Sequence, residues 1–263
     1  MRKLKSVRRL LRRLRDPVHG CDWNKHQTFE SIVPYTVEEA YEVADAVERG
    51  DWSGLPDELG DLLYQVLYLC ELGESEGRFT FEYVLNKLEA KIVDRNPHVF
   101  RVAGQQYLNT SNGLRWEQTK SVTRKKAGIS SELDNIPKKL PIMSKAKKMQ
   151  ARAAGVGFDW PDRKGVWVKV EEELNELQVE LSKESPQKMI AEQLGDLMFT
   201  LISLGRNVSV DAESALRQAT TKFENRFRAM EAKMTDRKLN FRTISVTELD
   251  NLWNDVKQEE KNS

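Results

Sequence analysis

The residues best suited to chemistry in this chain are acids at helical spacing. Glu38, Glu39 and Glu42 form an EExxE run, and Glu58 and Asp61 form an ExxD pair. On a helix turning about 100° per residue, Glu39 and Glu42 fall about 60° apart and Glu38 and Glu42 about 40° apart. Glu58 and Asp61 share a face in the same way. If the two helices pack antiparallel, Glu39, Glu42, Glu58 and Asp61 converge. Like charges so placed repel and raise one another's pKa values unless a cation lies among them. Oxygen ligands alone suit a hard divalent ion, Mg²⁺ with Mn²⁺ as the alternative, and the scarcity of His (3) and Cys (2) argues against zinc.

One EExxE in a chain with 41 acids is usually a solvated helix face, so its recurrence matters. Gly20-Cys21-Asp22-Trp23 returns as Gly157-Phe158-Asp159-Trp160, and Glu38-Glu39-x-x-Glu42 as Glu172-Glu173-x-x-Glu176. Leu59-Gly60-Asp61-Leu62 returns as Leu194-Gly195-Asp196-Leu197, Lys91-x-x-x-Arg95 as Lys222-x-x-x-Arg226, and Trp116-x-x-x-Lys120 as Trp253-x-x-x-Lys257. The order is the same and the interval nearly constant, which marks a tandem duplication. Mg²⁺ shares its shell readily with substrate phosphates, so acids accompanied by a Lys/Arg pair one turn apart predict a polyphosphate substrate. A tryptophan one turn from a lysine could stack on a nucleobase.

The elements that must position these groups are helices. Val37, Ala40, Tyr41, Ala44 and Val47 fall at helical spacing, as do Leu59, Leu62, Leu63, Val66 and Leu67, with Gly50 and Pro56 between them. Val170, Leu174, Leu177 and Leu181, then Leu194, Leu197, Met198, Leu201 and Ile202, repeat the hairpin around Ser185-Pro186. The expected organisation is a first domain over 1–125, a polar and basic linker over 126–140 and a second domain over 141–263. One helix pair buries too little apolar surface to stand alone, which predicts pairing with another copy.

Composition narrows the classes further. In 263 residues, 42 Lys+Arg are balanced by 41 Asp+Glu, and hydrophobic residues make up 39%, which is too apolar for general disorder and too neutral for a polyanion binder. Two unpaired cysteine contexts disfavour a disulfide scaffold, and no apolar run has the roughly 18 residues of a membrane span. Residues 1–15 hold eight Lys/Arg and an apolar stripe of Leu4, Val7, Leu10, Leu11 and Leu14. No secretory h-region is present, and the stripe reads as a core-packing first helix whose basic face is solvated or turned to a phosphate ligand. A nucleic-acid binder is disfavoured by the net charge of +1 and the absence of interleaved aromatics.

Taken with GxDW, the Lys/Arg helix and the terminal Trp/Lys, the EExxE and ExxD motifs resemble the tandem-domain MazG nucleoside triphosphate pyrophosphohydrolases over essentially the whole chain. The resemblance implies an all-α fold of two MazG-like repeats whose helices pair into four-helix bundles across a homodimer. It implies Mg²⁺-dependent hydrolysis of NTPs and dNTPs to monophosphate and pyrophosphate by a cytoplasmic enzyme, with a part in nucleotide-pool cleaning or the starvation response. Carried over by position, the metal ligands are Glu39, Glu42, Glu58 and Asp61, and in the second copy Glu173, Glu176 and Asp196, with Glu172 beside them. The phosphate and base contacts are Lys169, Lys222, Arg226, Trp253 and Lys257, with Lys91, Arg95, Trp116 and Lys120 in the first copy. Relatives of this layout are thought to work mainly through the second copy.

The second copy departs from that pattern. Gln193 stands where the first copy has Glu58. An amide oxygen can ligate a cation but carries no charge, so weaker metal binding is expected there. Either copy could then carry the turnover, and the alternative to a working enzyme is a catalytically weakened nucleotide-binding sensor or scaffold.

Overall fold

The structure is a computed structural model, and it describes residues 2–100, 121 and 130–262. The chain divides into two compact units, Met1–Leu108 and Asn109–Ser263. All regular structure among the described residues is helical. The expected domain end at 125 and the start of the expected linker lie outside the described residues; residues 130–140 form turns and no helix.

The first unit contains α1 (Arg2–Leu14), α2 (Asp22–Lys25), α3 (Phe29–Arg49), α4 (Leu55–Ser75), α5 (Phe81–Arg95) and α6 (Pro97–Phe100). Local chemistry sets the limits of α3. Thr28 Oγ1 accepts from the Ser31 N–H at 3.3 Å while Ser31 Oγ accepts from the Thr28 N–H at 2.9 Å, a reciprocal cap. At its other end Gly50 adopts φ +69°, the left-handed conformation that closes a helix and that glycine reaches at least cost. Pro56 in the first turn of α4 costs no hydrogen bond, because N–H groups there have no helical acceptor. The short Gly50–Gly54 connection therefore folds α4 back along α3 as an antiparallel hairpin.

Leu11, Ile32, Leu67, Tyr68 and Leu72 form the buried centre of this unit, with Leu4, Phe29 and Phe81 packed around them. The first helix is thus a core element, as the sequence predicted, and most of its basic face is solvated: Arg2, Lys3, Lys5, Arg9, Arg12 and Arg13 are exposed. Arg8 and the solvent-exposed Arg12 also form ion pairs with Glu71 and Glu74 of α4.

The second unit contains α7 (Ile142–Gly155), α8 (Arg163–Ser182), α9 (Gln187–Asn207), α10 (Ala212–Asp236) and α11 (Val246–Asn262). The hairpin α8–α9 repeats α3–α4, and α10 follows it as α5 follows α4, the order that the sequence repeat demands. Asp162 caps α8 and Asp211 caps α10 by accepting from the N–H groups of Gly165 and Ser214 at 2.9 Å each. Met230, Met234, Leu252 and Val256 bury the contact between α10 and α11.

Candidate metal centre

In the first unit the hairpin brings acids from both arms together. One carboxylate oxygen each from Glu39, Glu58 and Asp61 lies within 4.8 Å of the others. Glu39 and Glu58 are half-buried and Asp61 is exposed, so the group forms a shallow site open to solvent. Leu59 and Leu63, two residues to either side of Asp61, are exposed as well, at 49% each. Gln65, buried at the foot of the group, donates from Nε2 to Glu39 Oε1 at 3.3 Å and fixes that carboxylate from below. Its own Oε1 is buried without a partner.

The electrostatics are those of uncompensated like charge. The Glu42 carboxyl is pushed above its ordinary value, first by lost solvation and then by a hydrogen bond to Glu39 and the charges of Glu39, Glu58 and Glu38. Among the described residues no lysine or arginine forms an ion pair with Glu39, Glu58 or Asp61. A site built only of oxygen donors, crowded and unneutralised, fits a hard divalent ion.

The second unit arranges the equivalent residues otherwise. Lys169 Nζ lies 2.8 Å from Glu172 Oε1 and 2.8 Å from Glu173 Oε1, and these two hydrogen bonds raise its pKa. Glu173 and Asp196 line a cavity of about 490 Å³, together with Lys169, Phe158, Trp160 and Phe199. Glu172, Glu176 and Gln193 line a separate groove. The residues that sequence position groups together thus line two hollows, Glu173 and Asp196 the one and Glu172, Glu176 and Gln193 the other.

That cavity also holds residues the sequence reading missed. Arg206 grips Asp159 with both terminal nitrogens, Nη1 at 2.7 Å from Oδ2. Desolvation opposes the Asp159 charge, but the hydrogen bonds and charge of Arg206 and the Trp160 N–H outweigh it and hold the carboxyl below its usual range. Gln150, buried on α7, donates to the Phe199 carbonyl at 2.8 Å. Neither partner pair is close in sequence, so no local pattern announces it.

The expected phosphate and base contacts are scattered. Lys91 is exposed on α5 and Arg95 half-buried near its end. Trp116 and Lys120 lie outside the described residues. Lys222 is exposed on α10, Arg226 Nε donates to Glu260 of α11 at 2.7 Å, and Lys257 is half-buried. Trp253 packs on Phe223 with ring centroids 5.4 Å apart, extending the α10–α11 core. Of the expected contacts in the second unit, Lys169 lines the cavity, and Lys222, Arg226, Trp253 and Lys257 line neither hollow.

An all-helical chain whose hairpin gathers acids from both arms into one oxygen-only group has the architecture of the all-α nucleotide pyrophosphohydrolases. The family model for the MazG nucleotide pyrophosphohydrolase domain matches residues 27–100, the stretch from the α3 cap through α6. The chain is 40% identical to the nucleoside triphosphate pyrophosphohydrolase of Escherichia coli K12 over 99% of both chains. It is 37% identical to the nucleoside triphosphate pyrophosphohydrolase/pyrophosphatase MazG of Thermotoga maritima over 94% of this chain and 93% of that one. It is also 37% identical to the uncharacterized protein YabN of Bacillus subtilis over 98% of this chain but 52% of that protein. The chain belongs to the MazG family of nucleoside triphosphate pyrophosphohydrolases.

Proposed function

We propose that this chain hydrolyses nucleoside and deoxynucleoside triphosphates to the monophosphate and pyrophosphate at the α3–α4 carboxylate group, with Mg²⁺, or Mn²⁺ in its place. The observation that carries this reading is the approach of Glu39, Glu58 and Asp61 oxygens to within 4.8 Å of one another. These three residues hold the ion, which supplies positive charge against the triphosphate oxygens. Gln65 keeps the Glu39 carboxylate aimed into the site. Glu42, whose affinity for a proton is raised by its neighbours, takes the proton from the water that attacks phosphorus as the bond to the leaving pyrophosphate oxygen breaks. Lys91 and Arg95 are the cations assigned to the departing pyrophosphate; Trp116 and Lys120, the residues the repeat assigns to the base, lie outside the described residues. Lys222, Arg226, Trp253 and Lys257 are their counterparts in the second repeat.

Val33, Val37 and Tyr41 of α3 and Leu59, Leu63 and Val66 of α4 are exposed apolar residues. Contiguous apolar surface of this kind favours a partner, and a homodimer that joins two hairpins into a four-helix bundle accounts for it. Among the described residues no helix is long and apolar enough to cross a membrane. A cytoplasmic enzyme acting on the nucleotide pool, in housekeeping or in starvation, fits these features.

The test is incubation of the full chain with each NTP and dNTP in the presence of Mg²⁺, followed by separation of the products. Monophosphate and pyrophosphate in equal amounts, abolished by EDTA and restored by Mg²⁺ or Mn²⁺, are expected. Diphosphate with orthophosphate, or turnover that survives chelation, would reject the scheme.

A further inference from the structure

The two hairpins carry the same acid pattern but meet its repulsion in different ways. In the first unit no described cation pairs with Glu39, Glu58 or Asp61. In the second, the Lys169 ammonium lies 2.8 Å from an oxygen of Glu172 and 2.8 Å from one of Glu173. Lys169 stands one helical turn before Glu173, and the residue one turn before Glu39 is the uncharged Tyr35. A cation is therefore supplied by the chain itself at the place where the first unit leaves room for one from solution.

Two further differences point the same way. Gln193 replaces Glu58, so the second set has fewer negative charges for an ion to neutralise. Its remaining members are also divided, Glu173 and Asp196 facing the cavity and Glu176 the separate groove. Among the described residues, three acid oxygens close enough to share one ion occur only on α3–α4. Glu173 is buried, and a buried carboxylate already hydrogen-bonded to an ammonium gains little from exchanging it for a hydrated divalent ion that must shed water to enter.

We propose that Lys169 is a built-in counter-ion that replaces the divalent cation in the second unit, so that tight metal binding belongs to the α3–α4 hairpin alone. The inference rests on the proposed function only for the ion at α3–α4; the charge pairing in the second unit stands independently. Gln193 and Lys169 act together: one removes a negative charge and the other satisfies a second.

Direct Mn²⁺ binding to the full chain without nucleotide, followed by electron paramagnetic resonance of free and bound ion, tests this apart from activity. Glu58→Gln is expected to weaken the tight class at least tenfold, whereas Asp196→Asn leaves it within twofold. In the Glu58→Gln background, Lys169→Met with Gln193→Glu is expected to create a new class of bound Mn²⁺, with helical circular dichroism unchanged. Loss of tight Mn²⁺ in Asp196→Asn, a tight class surviving in Glu58→Gln, or no gain in the combined variant overturns the counter-ion role. Absence of bound Mn²⁺ in the unsubstituted chain overturns the proposed hydrolytic centre as well, whereas Mn²⁺ held by the α8–α9 pair overturns this inference alone.

Discussion

Arg8 of α1 and Glu71 of α4 are joined across the first unit, Nε to Oε1 at 2.7 Å, and the carboxylate is only 5% exposed. The Arg8 guanidinium also reaches Glu74 and lies over the Phe81 ring, 4.5 Å from its centroid. One side chain thus fastens α1 to α4 and to the start of α5, and α4 carries Glu58 and Asp61 on its opposite end. Arg8→Met is expected to destabilise the unit by about 1–3 kcal/mol, because it removes one partner of a buried carboxylate. Arg12→Met, at a 58% exposed side chain, should cost under about 1 kcal/mol. Urea unfolding of the two variants measures the difference.

Glu58→Gln should lower kcat for pyrophosphate release by about a hundredfold, equivalent to about 2.7 kcal/mol of transition-state stabilisation, at saturating Mg²⁺. Asp196→Asn should change it by much less. Equal losses in the two variants would place the chemistry in both hairpins.

Acid should unfold the protein in part through Glu74 and Asp159. For Glu74, desolvation is outweighed by hydrogen bonds from the Phe81 N–H and Arg8 together with the Arg8 and Arg12 charges; for Asp159, Arg206 and the Trp160 N–H do the same. Both carboxyls are therefore held low in the folded state. A lowered folded value contributes stability above the unfolded carboxylate range, about pH 4, and that stability is lost as pH falls through the folded value. Asp159→Asn should flatten the dependence of unfolding free energy on pH below about 4.5, whereas an unchanged slope would show that this pair contributes nothing.

Much of this was legible in the sequence, for stated reasons. EExxE and ExxD could be placed on facing helices because helical periodicity fixes which side chains share a face, and Gly50 and Pro56 marked the turn between them. The repeat was readable because its landmarks are residues that chemistry or turns restrict. The Lys169 pairing gives no signal in the sequence, since a lysine one turn from an acid is ordinarily a solvated pair, and only the burial of Glu173 changes that. Nothing local reveals that Phe223, on another helix, packs against Trp253 at a tilt. The Arg8 and Arg12 pairing left a faint signal: two arginines one turn apart on α1 match Glu71 and Glu74 at similar spacing on α4.

Gly73 sits where α4 passes closest to Phe79, and a Cβ added there would meet the ring at 2.5 Å. Gly73→Ala should therefore push Phe79 from its place beside Phe29 and destabilise the first unit by about 1–3 kcal/mol. A thermal melt resolves that loss, and an unchanged midpoint would mean that the ring moves aside freely.

The two-pronged grip of Arg206 on Asp159 spans the wall of the second unit's cavity, tying the stretch after α7 to the far end of α9. Both ends of that tie are anchored, one on a helix and one beside the Trp160 ring. The fork therefore ties the Asp159 stretch to the end of α9 along that wall, so the loop and the helix end hold one another in place there.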